Sequence, residues 1–452
     1  MMGPRQVAQG SLFYGFSIED HVPQDHLVRR LDRYLDLSEI RGFLAPYYSA
    51  IGRPSIDPEL MIRMLLIGYC FGVRSERRLC EEVHVNLAFR WFCRLDLTDT
   101  VPDHSSFSKN RHGRFRDSDL FRHLFESVLA RCIAEGLVGG EAFGVDASIV
   151  QANAKRLNKV DAADWAPERV TRAVEEYFET LDDEAFGEAT PVKPKVLSPV
   201  DPAARFTGAK KTYSIFAYST SYLVDLDNAV IVDVETTAPI RQAEVSAALD
   251  MLDRTQARTG LYPERFVGDG AYGNAETLGW LVNEKGIEPH VPVIDKSGRE
   301  DGSFARADFT FEACKDRYLC PAGKELLPAR RPFQTIRPKP KDDETIRYRA
   351  AKSDCAGCAF KPRCCPNTPA RQITRSIHEG ARDLAREIAK TDAFVASRRA
   401  RRKVEMLFAH MKKILGLDRL RLRGPNGAKD EFILAATAQN LRKMAKLLPA
   451  TA

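Results

Sequence analysis

The chain has 452 residues, 44% of them hydrophobic, which is enough to bury more than one core and predicts two to four domains. No run of about 18 uncharged apolar residues occurs, and the N-terminus lacks an apolar stretch of signal-peptide length, so a cytoplasmic protein with no membrane span is expected. The formal net charge of +6 is too modest to mark a nucleic-acid binder by itself.

From Gln24 to Gly136 apolar residues recur at helical spacing, as in HLVRRLDRYLDL and PELMIRMLLIGYCFG. Ser75 is placed to cap one further helix, and Asp103 or Ser105 the next. An all-helical N-terminal domain over residues 1–138 follows. At Glu141 the pattern changes. AFGVDASIVQANA reads as a strand that Asp146 ends, where apolar sequence yields to polar. A polar stretch with one short helix comes next. TYSIFAYSTSYLVDL and AVIVDVETTA then flank Asp227-Asn228 and predict a hairpin. EVSAALDMLDRT is helical. ERFVGDGAYG is a short strand ending in Asp269, followed by a Gly-rich turn, a helix and the strand EPHVPVI. This alternation predicts a mixed α/β sheet whose first part spans 139–297. Residues 298–375, rich in Cys, Pro and basic side chains, read as an insertion. Helices return over 376–452, where the spacing predicts SRRARRKVEMLFAHMKKILG as one helix.

Three carboxylates are candidates for metal chemistry, with unequal support from the residues alone. On a helix, residues four and seven apart share a face. Arg398, Arg401, Glu405 and Lys412 therefore form one polar stripe beside apolar Val404, Leu407, Phe408, Met411 and Leu415. A carboxylate flanked by cations suits metal binding beside DNA phosphate; the plainer reading is an Arg401–Glu405 surface ion pair. Asp146 and Asp269 alone are ordinary turn acids. With Glu405 they offer oxygen ligands from three elements, which suits hard cations such as Mg2+ or Mn2+ in two-metal phosphoryl transfer. The basic residues continue through Arg421 and Arg423, as expected of a phosphate-contacting surface or of a solvated helix face.

Four of the ten cysteines, Cys70, Cys80, Cys93 and Cys132, sit in apolar helical sequence and read as buried thiols. The other six cluster at Cys314, Cys320, Cys355, Cys358, Cys364 and Cys365. Cys355-Ala-Gly-Cys358 with Cys320 and Cys364 makes a four-thiolate Zn2+ site, with Cys365 as a substitute for Cys364 and Cys314 spare. Reduced thiols without metal are the alternative. Zinc would tie together a segment with little apolar content, and its cations, Arg330, Arg331, Lys339 and Lys341 among them, would face DNA or keep a loop soluble.

GVDASIVQANAKR, FVGDGAYGN and RRKVEMLFAHMKKILGLDRLRLRG together resemble bacterial insertion-sequence transposases of the DDE, RNase H-like superfamily. The resemblance extends to RPSIDPELMIRMLLIGYCFGVRSERRLCEEV, PDHSSFSKNR and LAATAQNLRKMAKLL, and so covers most of the chain. In that family's signature an Arg precedes the catalytic Glu by four and a Lys follows by seven, matching Arg401, Glu405 and Lys412; the Tyr common three before the Arg is Arg398 here. The resemblance implies an RNase H-like α/β catalytic domain with a Cys-rich, zinc-binding-type insertion, a catalytic set of Asp146, Asp269 and Glu405, and cleavage and strand transfer of DNA. Its implied partners are terminal inverted repeats and target DNA, bound by a homodimer through Arg398, Arg401, Lys412, Arg421 and Arg423. A catalytically inactive, zinc-containing DNA-binding protein of the same descent is the competing reading, and a nuclease without strand transfer a third.

Overall fold

The structure, a computed structural model, describes residues 15–49, 51–52, 55–181, 183, 186, 193–208, 213–294, 302–328 and 344–449. The N-terminal region is helical, as expected, with α1 (Pro58–Phe71), α2 (Glu76–Val85) and α3 (Leu120–Ala134) its longest members. Then come β1 (Ala142–Gln151), α4 (Arg172–Glu179), β2 (Arg205–Gly208), β3 (Ser214–Asp225), β4 (Val230–Thr237) and α5 (Arg241–Thr259). β5 (Arg265–Val267) and β6 (Glu288–His290) precede five strands: β7 (Thr310–Glu312), β8 (Arg317–Leu319), β9 (Glu325–Leu327), β10 (Thr345–Ala350) and β11 (Gln372–Ser376). The chain closes with α6 (Glu379–Ile388), α7 (Asp392–Ala400), α8 (Arg402–Lys413) and α9 (Pro425–Leu447). Among the described residues no helix is long and apolar enough to cross a membrane.

Two compact units divide these elements. The first holds residues 1–140, 145–262 and 402–452; the second holds 141–144 and 263–401. In the first unit, α1 starts where Asp57 accepts the Glu59 N–H with Pro58 at the first helical position, and ends at Gly72 with φ of 72°. α9 is the centre of this unit. It is buried along most of its length and packs on α1, α3 and β4. β3 and β4 pair antiparallel from Ser219↔Thr237 to Asp225↔Val230 across the expected turn at Asp227 and Asn228. Their Val-, Ile- and Tyr-rich sequence is buried almost continuously, as when both faces of a sheet are covered. Asn440 of α9 exchanges two hydrogen bonds with the backbone of Ile231 at 2.9 and 2.8 Å, so the polar group in this core is satisfied.

In the second unit Ala142–Gly144 pair parallel with β5, register Gly144↔Val267, and β5 pairs parallel with β6. α6 and α7 pack on β6. β1 thus belongs to both units: its later residues lie beside β3, and Ala152 donates to the Phe216 carbonyl at 2.8 Å. Parallel and antiparallel pairs occur in one sheet, which is mixed as expected.

The Cys-rich segment differs from its sequence reading. β7 to β11 form an antiparallel sheet in the order β11-β10-β9-β8-β7. Phe304, Phe309, Tyr318, Leu326, Tyr348 and Ile373 make a core of their own. The segment is therefore not poor in packable apolar groups; its aromatic residues are spread singly along strands too short to show a period. Arg330, Arg331, Lys339 and Lys341 lie outside the described residues.

Candidate active site

Asp146 lies within β1 rather than at its end, because the strand continues to Gln151. Phe143 and Val145 are fully buried, and the period of two turns Asp146 to the opposite face. Asp146 is half-buried, and its carboxylate accepts the Ala147 N–H at 2.9 Å.

Asp269 is exposed and follows β5, as the sequence predicts. Its carboxylate accepts the Ala271 N–H at 2.7 Å and caps a short turn, Gly270–Tyr272. The glycines around it are required by close approach. A Cβ on Gly268 would come within 2.8 Å of the Tyr272 ring, and one on Gly273 within 1.9 Å of the Pro292 carbonyl oxygen. Each aspartate stands two residues beyond the last paired residues, Gly144 and Val267.

Glu405 is exposed on α8, whose other face buries Val404, Leu407, Phe408 and Met411. That face is anchored inside the first unit. Phe408 stacks on Tyr222 at 4.7 Å between centroids, and Gln439 of α9 donates to the Leu407 carbonyl at 2.8 Å. Two lysines fasten the helix at its ends. Lys403 donates to the carbonyls of Leu226 and Asp227, and Lys412 to the Ile149 carbonyl of β1 at 2.8 Å. Lys412 thereby ties the Glu405 helix to the strand that carries Asp146. The sequence did not single out Lys403, whose anchoring role needs the hairpin turn in place.

The stripe expected around Glu405 is shorter than predicted. The helix is interrupted at Arg401, so Arg398 sits on α7 in the second unit and Glu405 on α8 in the first. The reason is packing: Phe394 of α7 stacks on His290 of β6, whereas α8 buries its apolar face against Tyr222 and α9. Arg398, Arg421 and Arg423 are exposed, and Arg401 and Lys412 are half-buried.

Five cysteines, Cys320, Cys355, Cys358, Cys364 and Cys365, line one small cavity of about 20 Å³. Cys355 and Cys365 are buried in the aromatic core, and Cys314 is exposed. The Cys355–Cys358 turn closes through a 3.4 Å bond from the Cys358 N–H to the Cys355 carbonyl. Burial pushes the Cys364 thiol up to about 11 and raises that of Cys355. The donors suit zinc by chemistry, and the three carboxylates suit Mg2+ or Mn2+. Among the described residues, however, no three His, Cys, Asp or Glu side chains are gathered as a metal-holding group.

The described residues thus comprise a helical N-terminal region and a mixed sheet, with Asp146 on β1, Asp269 after β5 and Glu405 on α8. Residues 16–113 match the family described as Transposase domain (DUF772), and residues 319–445 match the family described as Transposase DDE domain. The two matches support an insertion-sequence DDE transposase, and the DDE domain match implies an RNase H-like catalytic fold. The second match takes in Glu405 and the Cys cluster; Asp146 and Asp269 lie outside both. No curated protein and no solved structure matched the chain.

Proposed function

We propose that the protein cleaves the ends of its transposon and joins them to target DNA, with Asp146, Asp269 and Glu405 as the residues that would hold two divalent cations, Mg2+ or Mn2+. The observation that carries this reading is the Transposase DDE domain match over the segment containing Glu405. Held there, the ions would supply Lewis acidity to an attacking water or hydroxyl and charge to the leaving oxygen. The chain's own part is to orient. Lys412 holds α8, and with it Glu405, to the strand that carries Asp146, and Lys403 holds the start of α8 to the hairpin turn. Arg398, Arg401, Arg421 and Arg423 are proposed contacts to DNA phosphate. Cys320, Cys355, Cys358 and Cys364 would take a structural zinc, with the buried Cys365 an equal claimant to Cys364. The helical N-terminal domain would add DNA contacts, and a homodimer would bring two ends together.

The test is metal-dependent nicking of a supercoiled plasmid carrying the DNA that flanks the coding region. Wild-type protein should nick it, and Asp146→Asn should lose about a hundred- to thousandfold in rate if a metal-holding carboxylate is removed. Undiminished nicking by Asp146→Asn would remove the assignment. A second reading, a DNA-binding protein without catalysis, is favoured by the position of Asp146 and Asp269 outside both matched segments; binding without nicking would select it.

A further inference from the structure

We propose that Asp418–Gly424, the segment between α8 and α9, is a preformed ribbon that tracks the phosphates of one DNA strand. Buried Asp201, Glu176 and Glu431 act as the positioning residues that set its shape. The inference rests on the DNA-acting reading above and deepens it.

The sequence of the ribbon alternates: Arg419, Leu420, Arg421, Leu422, Arg423. The structure follows that alternation. Leu420 is buried and Leu422 half-buried, while all three arginines are exposed. The chain bends at Arg421 and Leu422, and residues two apart on any chain are at most about 7 Å apart, a spacing within reach of neighbouring phosphates on one strand. Among the described residues none of these three side chains forms a direct ion pair, although the Arg423 charge bears on buried Asp201. Arg421 also borders a cleft of about 290 Å³ with Arg77 and Arg111, and Arg423 one of about 570 Å³ with Trp165, Arg169 and Arg172. The ribbon therefore borders two clefts of the same unit whose linings mix cations with acids, Glu76 and Glu431 in one and Asp164 and Glu168 in the other.

Its backbone is held with unusual thoroughness. Arg419 bridges to Gln151 of β1, and the Leu420 N–H donates to the Gln151 carbonyl at 2.8 Å. Asn153 clamps both following arginines: its amide donates to the Arg421 carbonyl at 2.7 Å, and its own carbonyl accepts from Arg423 Nε at 3.2 Å. Beneath, three carboxylates take four backbone N–H groups. Glu431 accepts from Arg421 and Leu422 at 2.7 and 2.6 Å, Asp201 from Gly424 at 3.3 Å, and Glu176 from Asn426 at 3.1 Å. These acids are 1%, 0% and 3% exposed.

Part of this serves the N-terminus of α9, where acids complement the helix dipole. A capping role alone needs one short polar side chain. Three buried carboxylates from three chain segments, each also held elsewhere, give the loop a single shape. Asp201 accepts the Tyr218 hydroxyl at 2.6 Å, Glu176 accepts from Arg116 at 2.8 Å, and Glu431 pairs with Arg74. Gly424, at φ of 82°, is confined by the same cradle: a Cβ there would lie 2.2 Å from Glu176 Oε2. A rigid arrangement of arginines loses little conformational freedom on meeting phosphate.

The experiment measures binding of the full chain to a mixed-sequence oligonucleotide, single-stranded and duplex, across a salt series. Changing Arg419, Arg421 and Arg423 together to Gln should reduce the slope of log K against log salt by about 2 on single strands and about 2.7 on duplex. Asp201→Ala combined with Tyr218→Phe, which leaves no orphaned hydroxyl, should also reduce it, while Asp201→Asn, which keeps an acceptor oxygen for Gly424, should not. An unchanged slope in the arginine variant overturns the ribbon and leaves the transposase reading standing. A reduced slope there with an unchanged slope in the Asp201→Ala variant overturns the positioning role. Wild-type protein that binds neither oligonucleotide removes both.

Discussion

Asp430 shows how far a buried acid departs from its solution chemistry. It is 9% exposed, and burial pushes its carboxyl up to about 7 against the pull of Arg111 and Arg116. The folded protein thus keeps a proton that the unfolded chain releases near its ordinary value of about 3.9. Stability from this group is full below that value and is lost as pH rises through about 7. Asp430→Asn removes the dependence. Its melting temperature should exceed that of the wild type near about pH 8 and match it near about pH 4; a pH-independent difference would show that another group titrates. Nothing in the sequence marks Asp430. It stands in AKDEFILAA, where the start of an apolar helix reads equally well as exposed or buried. The catalytic candidates divide in the same way. Asp269 was legible as a strand-end acid because glycines bracket it, whereas Asp146 was misplaced at a strand end when β1 runs on to Gln151.

At the level of elements, α8 connects stability to the site. Phe408 is 6% exposed against Tyr222, so Phe408→Ala should cost about 3 to 5 kcal/mol in urea denaturation. Plasmid nicking should fall by more than the folded fraction does, because Glu405 rides on the same helix. Nicking that simply follows the folded fraction would argue against a positioning effect. The heptad-like spacing of α8 was readable, but its break from α7 was not: helical periodicity runs through Arg401 without a Pro or Gly to stop it. The sheet β7–β11 was invisible for another reason, since three of its strands have three residues each and show no period. Because that sheet has an aromatic core, removing metal should loosen rather than unfold it. About one zinc per chain is expected by atomic absorption; chelation should lower the melting temperature while far-ultraviolet circular dichroism at low temperature is retained. Purified protein without zinc would return the cysteines to the plain-thiol reading.

For the whole molecule, the two units carry buried acids whose pKa values are shifted in opposite directions. Glu379 in the second unit is 1% exposed; burial raises its carboxyl, but Arg306, Arg382 and Arg386 outweigh this and hold it below the ordinary range. Its stabilising contribution is present above its ordinary pKa and is lost as pH falls through the depressed one. Asp201 and Asp430 in the first unit, raised to about 6 and about 7, lose theirs as pH rises through those values. Thermal stability should therefore peak in acidic solution, at about pH 4, where Glu379 is already ionised and the unfolded aspartates only begin to release their protons, and Glu379→Gln should erode the acid side and the maximum together. A stability maximum above about pH 8 would contradict these assignments.

Local chemistry was legible throughout the chain: helical spacing in the N-terminal region, the Asp227-Asn228 turn, glycines around Asp269, the Cys-x-x-Cys turn and the apolar stripe of α8. Such signals act within a few residues, so periodicity and turn preference report them. Long-range pairing was not legible. That β1 serves both units, that Lys412 reaches Ile149, and that Glu431, Asp201 and Glu176 gather beneath Arg419–Arg423 depend on residues up to some hundreds of positions apart. The three carboxylates named from the sequence keep their interest, but their supports, two anchoring lysines and a buried acidic cradle, exist only once distant segments have packed.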